Sequence, residues 1–218
     1  AENGATLFMM LYAVVDVFLY YYSGQNDIVM GIAAAGREHP DLEDQIGFFI
    51  NTLAVRVKFR EEAAFLELVG VVKKAILDAY AHQMYPLDRL IDELKIKKNP
   101  ARQPLFDVMI GITNFQGAKP STSLPPEPVK TDEDETSLTI YDFLTLYDLS
   151  FDFRETARTI NVAIEYNTDL FERKTITRMI KRFKKLLERI VKNPAISISS
   201  LQIDEEIKIP GFASFGGR

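Results

Sequence analysis

Residues 7 to 22 read LFMMLYAVVDVFLYYY, sixteen residues apolar on almost every side, with Asp16 in their middle. A membrane-spanning helix needs about 20 consecutive apolar residues, and no basic stretch or small-residue cleavage site marks a signal peptide. The run therefore reads as a buried helix over 5–23, stopped by Ser23-Gly24. Such a helix must have other elements packed around it, which limits the chain to layered folds. It also begins abruptly, without a capping sequence typical of a domain start, and this suggests a fragment of a larger domain.

The segments beyond Gly24 supply the layers. DIVMGIAAA (27–35) is a short apolar run whose Gly31 signals a bulge or a close approach by another group. Residues 46–59, opening IGFFINTLAVR, read as a second strand. Apolar residues at helical spacing cover 62–83, and Pro86 opens a shorter helix, LDRLIDELK. A strand is expected over 105–115, then a Pro-, Ser- and acid-rich loop over 116–136, of a length uncommon unless functional. SLTIYDF, DLSFDFRE and TINVAIEYN read as three further strands, and 171–192 as an amphipathic helix with a basic outer face. This order gives an α/β layered sandwich with a mixed β-sheet and flanking helices.

Composition narrows the function. At 218 residues the chain can build one sizeable core. A net charge of -5 argues against a nucleic-acid groove, and the absence of cysteine removes disulfides and thiolate metal sites and points to the cytoplasm. The two histidines, His39 and His82, lie in no metal-ligand spacing, so no metal is expected. There is no GxSxG elbow, phosphate-binding loop or dinucleotide fingerprint. His82, at a helix end, reads as a cap or packing residue. The anomaly is Asn51-Thr52, an amide and a hydroxyl inside an apolar strand. Left unpaired, either group costs about 1–3 kcal/mol, so Asn51 serves an internal network or a ligand. Thr52, one residue on, points the other way and reads as packing.

Five stretches, in order, carry a resemblance. DIVMGIAAAGREHP resembles the strand and Gly-Arg turn of nonribosomal peptide synthetase condensation domains. IGFFINTLAVR resembles their Gly-x-Phe-Val-Asn-Thr motif, and AHQMYPLDRLIDEL their His-Gln-x-x-Pro-Phe-Glu motif. NPARQPLFDVM resembles their Asn-Pro-Leu-Phe region, and EYNTDLF their last strand-to-helix turn. Departures are Met84 for an acid, Leu87-Asp88 for Phe-Glu, and Ile32 for a small polar residue.

The resemblance implies one lobe of a V-shaped, two-lobed, chloramphenicol acetyltransferase-like domain. Residues 1–203 would be the C-terminal lobe and 204–218 a linker or tail. The family's catalytic His-His-x-x-x-Asp-Gly motif belongs to the other lobe and is absent here, so this chain alone is expected to be inactive. The implied function is to help form the tunnel in which carrier-bound aminoacyl or peptidyl thioesters are joined by amide-bond formation, in antibiotic biosynthesis. The alternatives are a non-catalytic carrier-docking scaffold and a lobe of an ester-forming acyltransferase. Implied partners are peptidyl carrier protein domains, the N-terminal condensation lobe and an adjacent adenylation domain, without nucleic acid or membrane. No cofactor is bound directly; phosphopantetheine arrives on the carriers. Gly31, Ile32 and Asn51 would line the substrate tunnel, with Asn51 orienting the acceptor or an oxyanion, or else fixing its strand. Gly31 would leave room for the phosphopantetheine arm or form a bulge. Arg37 would contact the carrier's phosphate or form a salt bridge. Arg102 and Asp107 are expected to form an ion pair.

Overall fold

The computed structural model describes residues 4–37, 39–42, 44–97, 102–113, 138–142 (backbone), 146–156 and 159–201. The apolar run forms helix α1, Leu7–Ser23. Thr6 caps its start, accepting a hydrogen bond from the Met9 N–H at 3.2 Å. Gly24, in the left-handed region at φ 71°, ends it by donating to the Tyr20 carbonyl.

Two strands come next, β1 (Asp27–Ala34) and β2 (Asn51–Lys58), paired antiparallel from Asp27↔Lys58 to Ala34↔Asn51. Helix α2 (Phe65–Ala81) and helix α3 (Leu87–Glu93), the latter with Pro86 at its N-cap, succeed them. The remaining elements are β3 (Val108–Thr113), β4 (Leu138–Asp142), β5 (Leu149–Glu155), β6 (Ile160–Tyr166) and helix α4 (Arg173–Lys192). They complete a six-stranded mixed sheet in the order β2-β1-β3-β5-β6-β4. β1, β3 and β5 run parallel at its centre, with antiparallel neighbours on each side.

Strand alternation decides where the core lies. Ile28, Met30 and Ile32 on β1, Leu53, Val55 and Val57 on β2, and Leu149, Phe151 and Phe153 on β5 are buried on one face of the sheet. The apolar sides of α1, α2 and α4 share that core. Phe18 of α1, Phe151 of β5 and Phe183 of α4 meet with centroids 5.3–6.1 Å apart, edge-on or tilted as ring quadrupoles prefer. Tyr12 fastens α1 to β2 by donating to the Val55 carbonyl at 2.9 Å.

Three expectations need adjusting. The helix over 62–83 spans 65–81, and the strand over 105–115 spans 108–113. The strand expected from residue 46 starts only at Asn51, because its partner β1 ends at Ala34, directly opposite. The loop 116–136 and the tail 204–218 lie outside the described residues. Among the described residues, no helix is long and apolar enough to cross a membrane.

Candidate functional site

The polar interruption of β2 lies at one corner of the sheet, where β1 ends and β2 begins. Asn51 shares the alternation of Leu53, Val55 and Val57, so it points to the helix side. There its amide nitrogen donates to the carbonyls of Gln83 at 2.7 Å and Tyr85 at 2.9 Å. Its oxygen accepts the Thr52 N–H at 2.9 Å. An amide has two N–H donors, and both are used. They draw the α2–α3 turn, which carries His82 at the α2 C-cap, onto the strand end. Thr52 faces the opposite side of the sheet, paired with Ala33.

Arg37 stands across the same corner. Its guanidinium lies 4.3 Å from the centroid of the Phe49 ring, a cation–π contact. It also donates to the Leu42 carbonyl and, at 3.4 Å, to the Gly47 carbonyl. Gly36 makes the approach possible: at φ 65°, a Cβ on it would sit 2.0 Å from the Phe49 carbonyl oxygen. Arg37 thus anchors the segment ahead of β2. That segment, apolar in sequence, is exposed at Ile46, Phe48 and Ile50, beside which the Asn51-held turn presents exposed Met84 and Tyr85. The sequence pattern predicts these apolar residues inside a strand; the pairing with β1 ends at Ala34↔Asn51, and among the described residues no strand pairs with them.

Gly31 lies on the sheet face opposite the helices. A Cβ there would fall 2.2 Å from Phe106 Cε2 and 2.8 Å from Met109 Sδ, so the missing side chain seats the Phe106 ring. That ring stacks on Tyr147, with centroids 5.7 Å apart at 20°. Ile32, the next residue, is fully buried on the helix side. Behind Phe106, the expected pair is present. Arg102 donates to both carboxyl oxygens of the buried Asp107, a bidentate arrangement suited to guanidinium.

Further along the open face, Ser150 and Asp152 of β5 lie across from Glu165 and Ala163 of β6. Gly111 of β3 pairs with Asp152 and leaves its carboxyl room, as a Cβ would be 3.1 Å from Asp152 Oδ1. Burial raises the Asp152 pKa, partly offset by Arg154; burial and then the Asp152 charge raise that of Glu165. Sequence reasoning missed this pair, although the alternation in DLSFDFRE turns Asp152 away from Phe151 and Phe153. The arrangement can present polar and titratable groups on one flat face while the opposite face holds the core. Among the described residues, no three His, Cys, Asp or Glu side chains are grouped as metal ligands.

Comparison with known proteins bears on this geometry. The family model described as Condensation domain matches residues 1–208. Gramicidin S synthase 2 from Brevibacillus brevis is 38% identical over 210 residues, which cover 94% of this chain and 4% of the synthase. Surfactin synthase subunit 1 from Bacillus subtilis (strain 168) is 36% identical over 205 residues, covering 94% of this chain and 6% of that protein. Such relatives are nonribosomal peptide synthetases of antibiotic biosynthesis. Among solved structures, the first condensation domain of the CDA synthetase matches with a TM-score of 0.70 at 19% identity, over 92% of this chain and 43% of that one. The fold is thus the chloramphenicol acetyltransferase-like one of that domain, and the chain spans under half of it.

Proposed function

The chain belongs to the condensation-domain family of nonribosomal peptide synthetases, and from that premise we propose that it is the C-terminal lobe of an amide-forming condensation domain. Residues 1–203 make the lobe and 204–218 a linker. The observation that carries this reading is the one-sided sheet. α1, α2 and α4 pack on one face, while the other presents Gly111, Ser150, Asp152 and Glu165. That face forms one wall of the tunnel, and the N-terminal lobe, carrying the histidine motif, forms the other.

Carrier domains deliver thioesters on phosphopantetheine, with an adenylation domain adjacent in the cytoplasmic synthetase. In the reaction the acceptor amine attacks the donor thioester carbonyl, the C–N bond forms, the C–S bond breaks, and the amine's proton passes to the base of the other lobe. Holding the two reactants in register supplies about 7–11 kcal/mol of the barrier reduction, and this lobe's share is to hold them. Gly31 acts through Phe106, whose ring it seats beside the phosphopantetheine path, with Ile32 packing behind the strand. Asn51, whose amide donors are engaged by Gln83 and Tyr85, is a positioning residue that fixes the tunnel corner. Arg37 shapes the mouth beside it, where the carrier's phosphate enters.

The test uses the intact two-lobed domain with one carrier loaded as donor and another as acceptor, and follows products by mass spectrometry. Amide product dependent on both carriers supports the reading. Ester formation with a hydroxyl acceptor, or carrier binding without product, would replace it with the ester-forming or the scaffold alternative.

A further inference from the structure

The turn that Asn51 holds carries a side chain that the condensation-domain motif does not account for. Where that motif has an acid, this chain has Met84. Of the six methionines, Met84 is the most open, 65% exposed against 39% for Met10 on α1. Met9, Met30 and Met179 are buried, and Met109 is half-buried with its sulfur beside Gly31. The backbone on both sides of Met84 is fixed, because the Asn51 amide donates to the carbonyls of Gln83 and Tyr85. Neither bond involves the Met84 side chain. The neighbours it joins, Ile46, Phe48, Ile50 and Tyr85, are exposed and mostly apolar. An acid here would keep the corner polar. The thioether makes it apolar and leaves it open to chemical conversion.

We propose that Met84 is an oxidation site whose state sets the polarity of this corner. The oxidant is a hydroperoxide, in the simplest case hydrogen peroxide. The Met84 sulfur attacks the distal oxygen, the S–O bond forms and the O–O bond breaks. The proton of the transferred hydroxyl goes to the departing hydroxide, which leaves as water. Sulfur gives up two electrons and the peroxide takes them. The product is a sulfoxide, polar where the thioether was apolar, and a methionine sulfoxide reductase returns it to the thioether at the expense of two thiols. An oxygen acceptor then stands where the motif has its acid. Covering the corner with any apolar surface would now strip that oxygen of water without giving it a donor. The Asn51 bonds are untouched, so the turn keeps its place.

The experiment treats this chain with limiting hydrogen peroxide, maps each sulfoxide by mass spectrometry, and measures binding of an environment-sensitive apolar dye on the same samples. Met84 is expected to oxidise first, at least about tenfold faster than Met9, Met30 and Met179, since attack follows exposure. Dye binding should fall at least about threefold as the Met84 sulfoxide forms, because the new oxygen must be desolvated, and it should recover after treatment with the reductase. Met84→Leu, apolar but without sulfur, should bind dye as the native chain does and keep that level in peroxide. Met84→Gln, polar from the start, should bind it as the oxidised chain does. Circular dichroism should be the same in every sample. Oxidation of Met10 or Met109 ahead of Met84 would overturn the proposal. So would dye binding that stays at the native level once Met84 is oxidised, dye binding that peroxide lowers equally in Met84→Leu, or a loss of helix on oxidation. No readout involves amide formation, so the outcome is independent of the function proposed above.

Discussion

An amide at position 51 joins the start of β2 to the α2–α3 turn through two donated hydrogen bonds. Asn51→Ala should therefore cost about 1–3 kcal/mol of stability by leaving two carbonyls without their donor. Asn51→Asp keeps the acceptor for Thr52 but lacks the donors, so it should melt as low as the alanine variant. Thermal unfolding of both checks this, and an aspartate variant as stable as the native protein would contradict it. In the two-lobed domain, the displaced corner should lower kcat by about a hundredfold, the scale of a 1 Å misplacement. Asp16 poses a different residue-scale problem. It is fully buried in α1, and neither carboxyl oxygen has a hydrogen-bond partner among the described residues. Burial holds its pKa well above the usual carboxylate range. The native state therefore keeps a proton that the unfolded chain gives up near pH 4. Stability is greatest below that pH and declines as pH rises through the raised native value. Asp16→Asn should raise the melting temperature at pH 8 and leave it nearly unchanged at pH 4. Equal shifts at both values would show that the carboxyl ionises normally. Both residues are conspicuous in the sequence as polar interruptions of apolar runs, but their partners are not legible there. Those depend on a turn 32 residues away for Asn51 and on packing from all sides for Asp16.

At the scale of elements, periodicity is a faithful guide wherever a segment has one buried side. α4 is readable from its apolar spacing, and β5 and β6 from their alternation, because each meets the core along one face. Ile46, Phe48 and Ile50 mislead for the complementary reason: hydrophobicity names a strand only where a partner strand is available, and β1 ends opposite Asn51. Gly31 is legible as a point of close approach, while the group that approaches, Phe106, lies far along the chain and gives no local signal. Gly31→Ala should cost about 1–3 kcal/mol, the usual penalty for overpacking, because the ring and the Met109 sulfur must move aside. Chemical denaturation measures it, and a variant of unchanged stability would mean that Phe106 moves freely.

For the whole molecule, the half-domain reading implies an apolar patch left for the absent lobe, on the first helix and the sheet edge. The structure buries α1 and leaves the apolar side chains instead on the 46–50 segment and the neighbouring turn. We expect the isolated chain to self-associate through them. Phe48→Ser should reduce association in light scattering without lowering the melting temperature. A native chain that stays monomeric at high concentration would argue that this surface faces no lobe. The layered fold is legible because the order of helical and strand periods admits few architectures. The open polar face of the sheet is not, because it is assembled from alternate residues of strands far apart in sequence. Whether this chain is one lobe of an amide-forming pair is decided by single-turnover amide formation from loaded donor and acceptor carriers. It compares this chain alone with the continuous two-lobed domain containing it. No amide above the uncatalysed rate is expected from the chain alone, and rapid product from the two-lobed domain. Amide formed by the chain alone, or none from the intact domain, would contradict this.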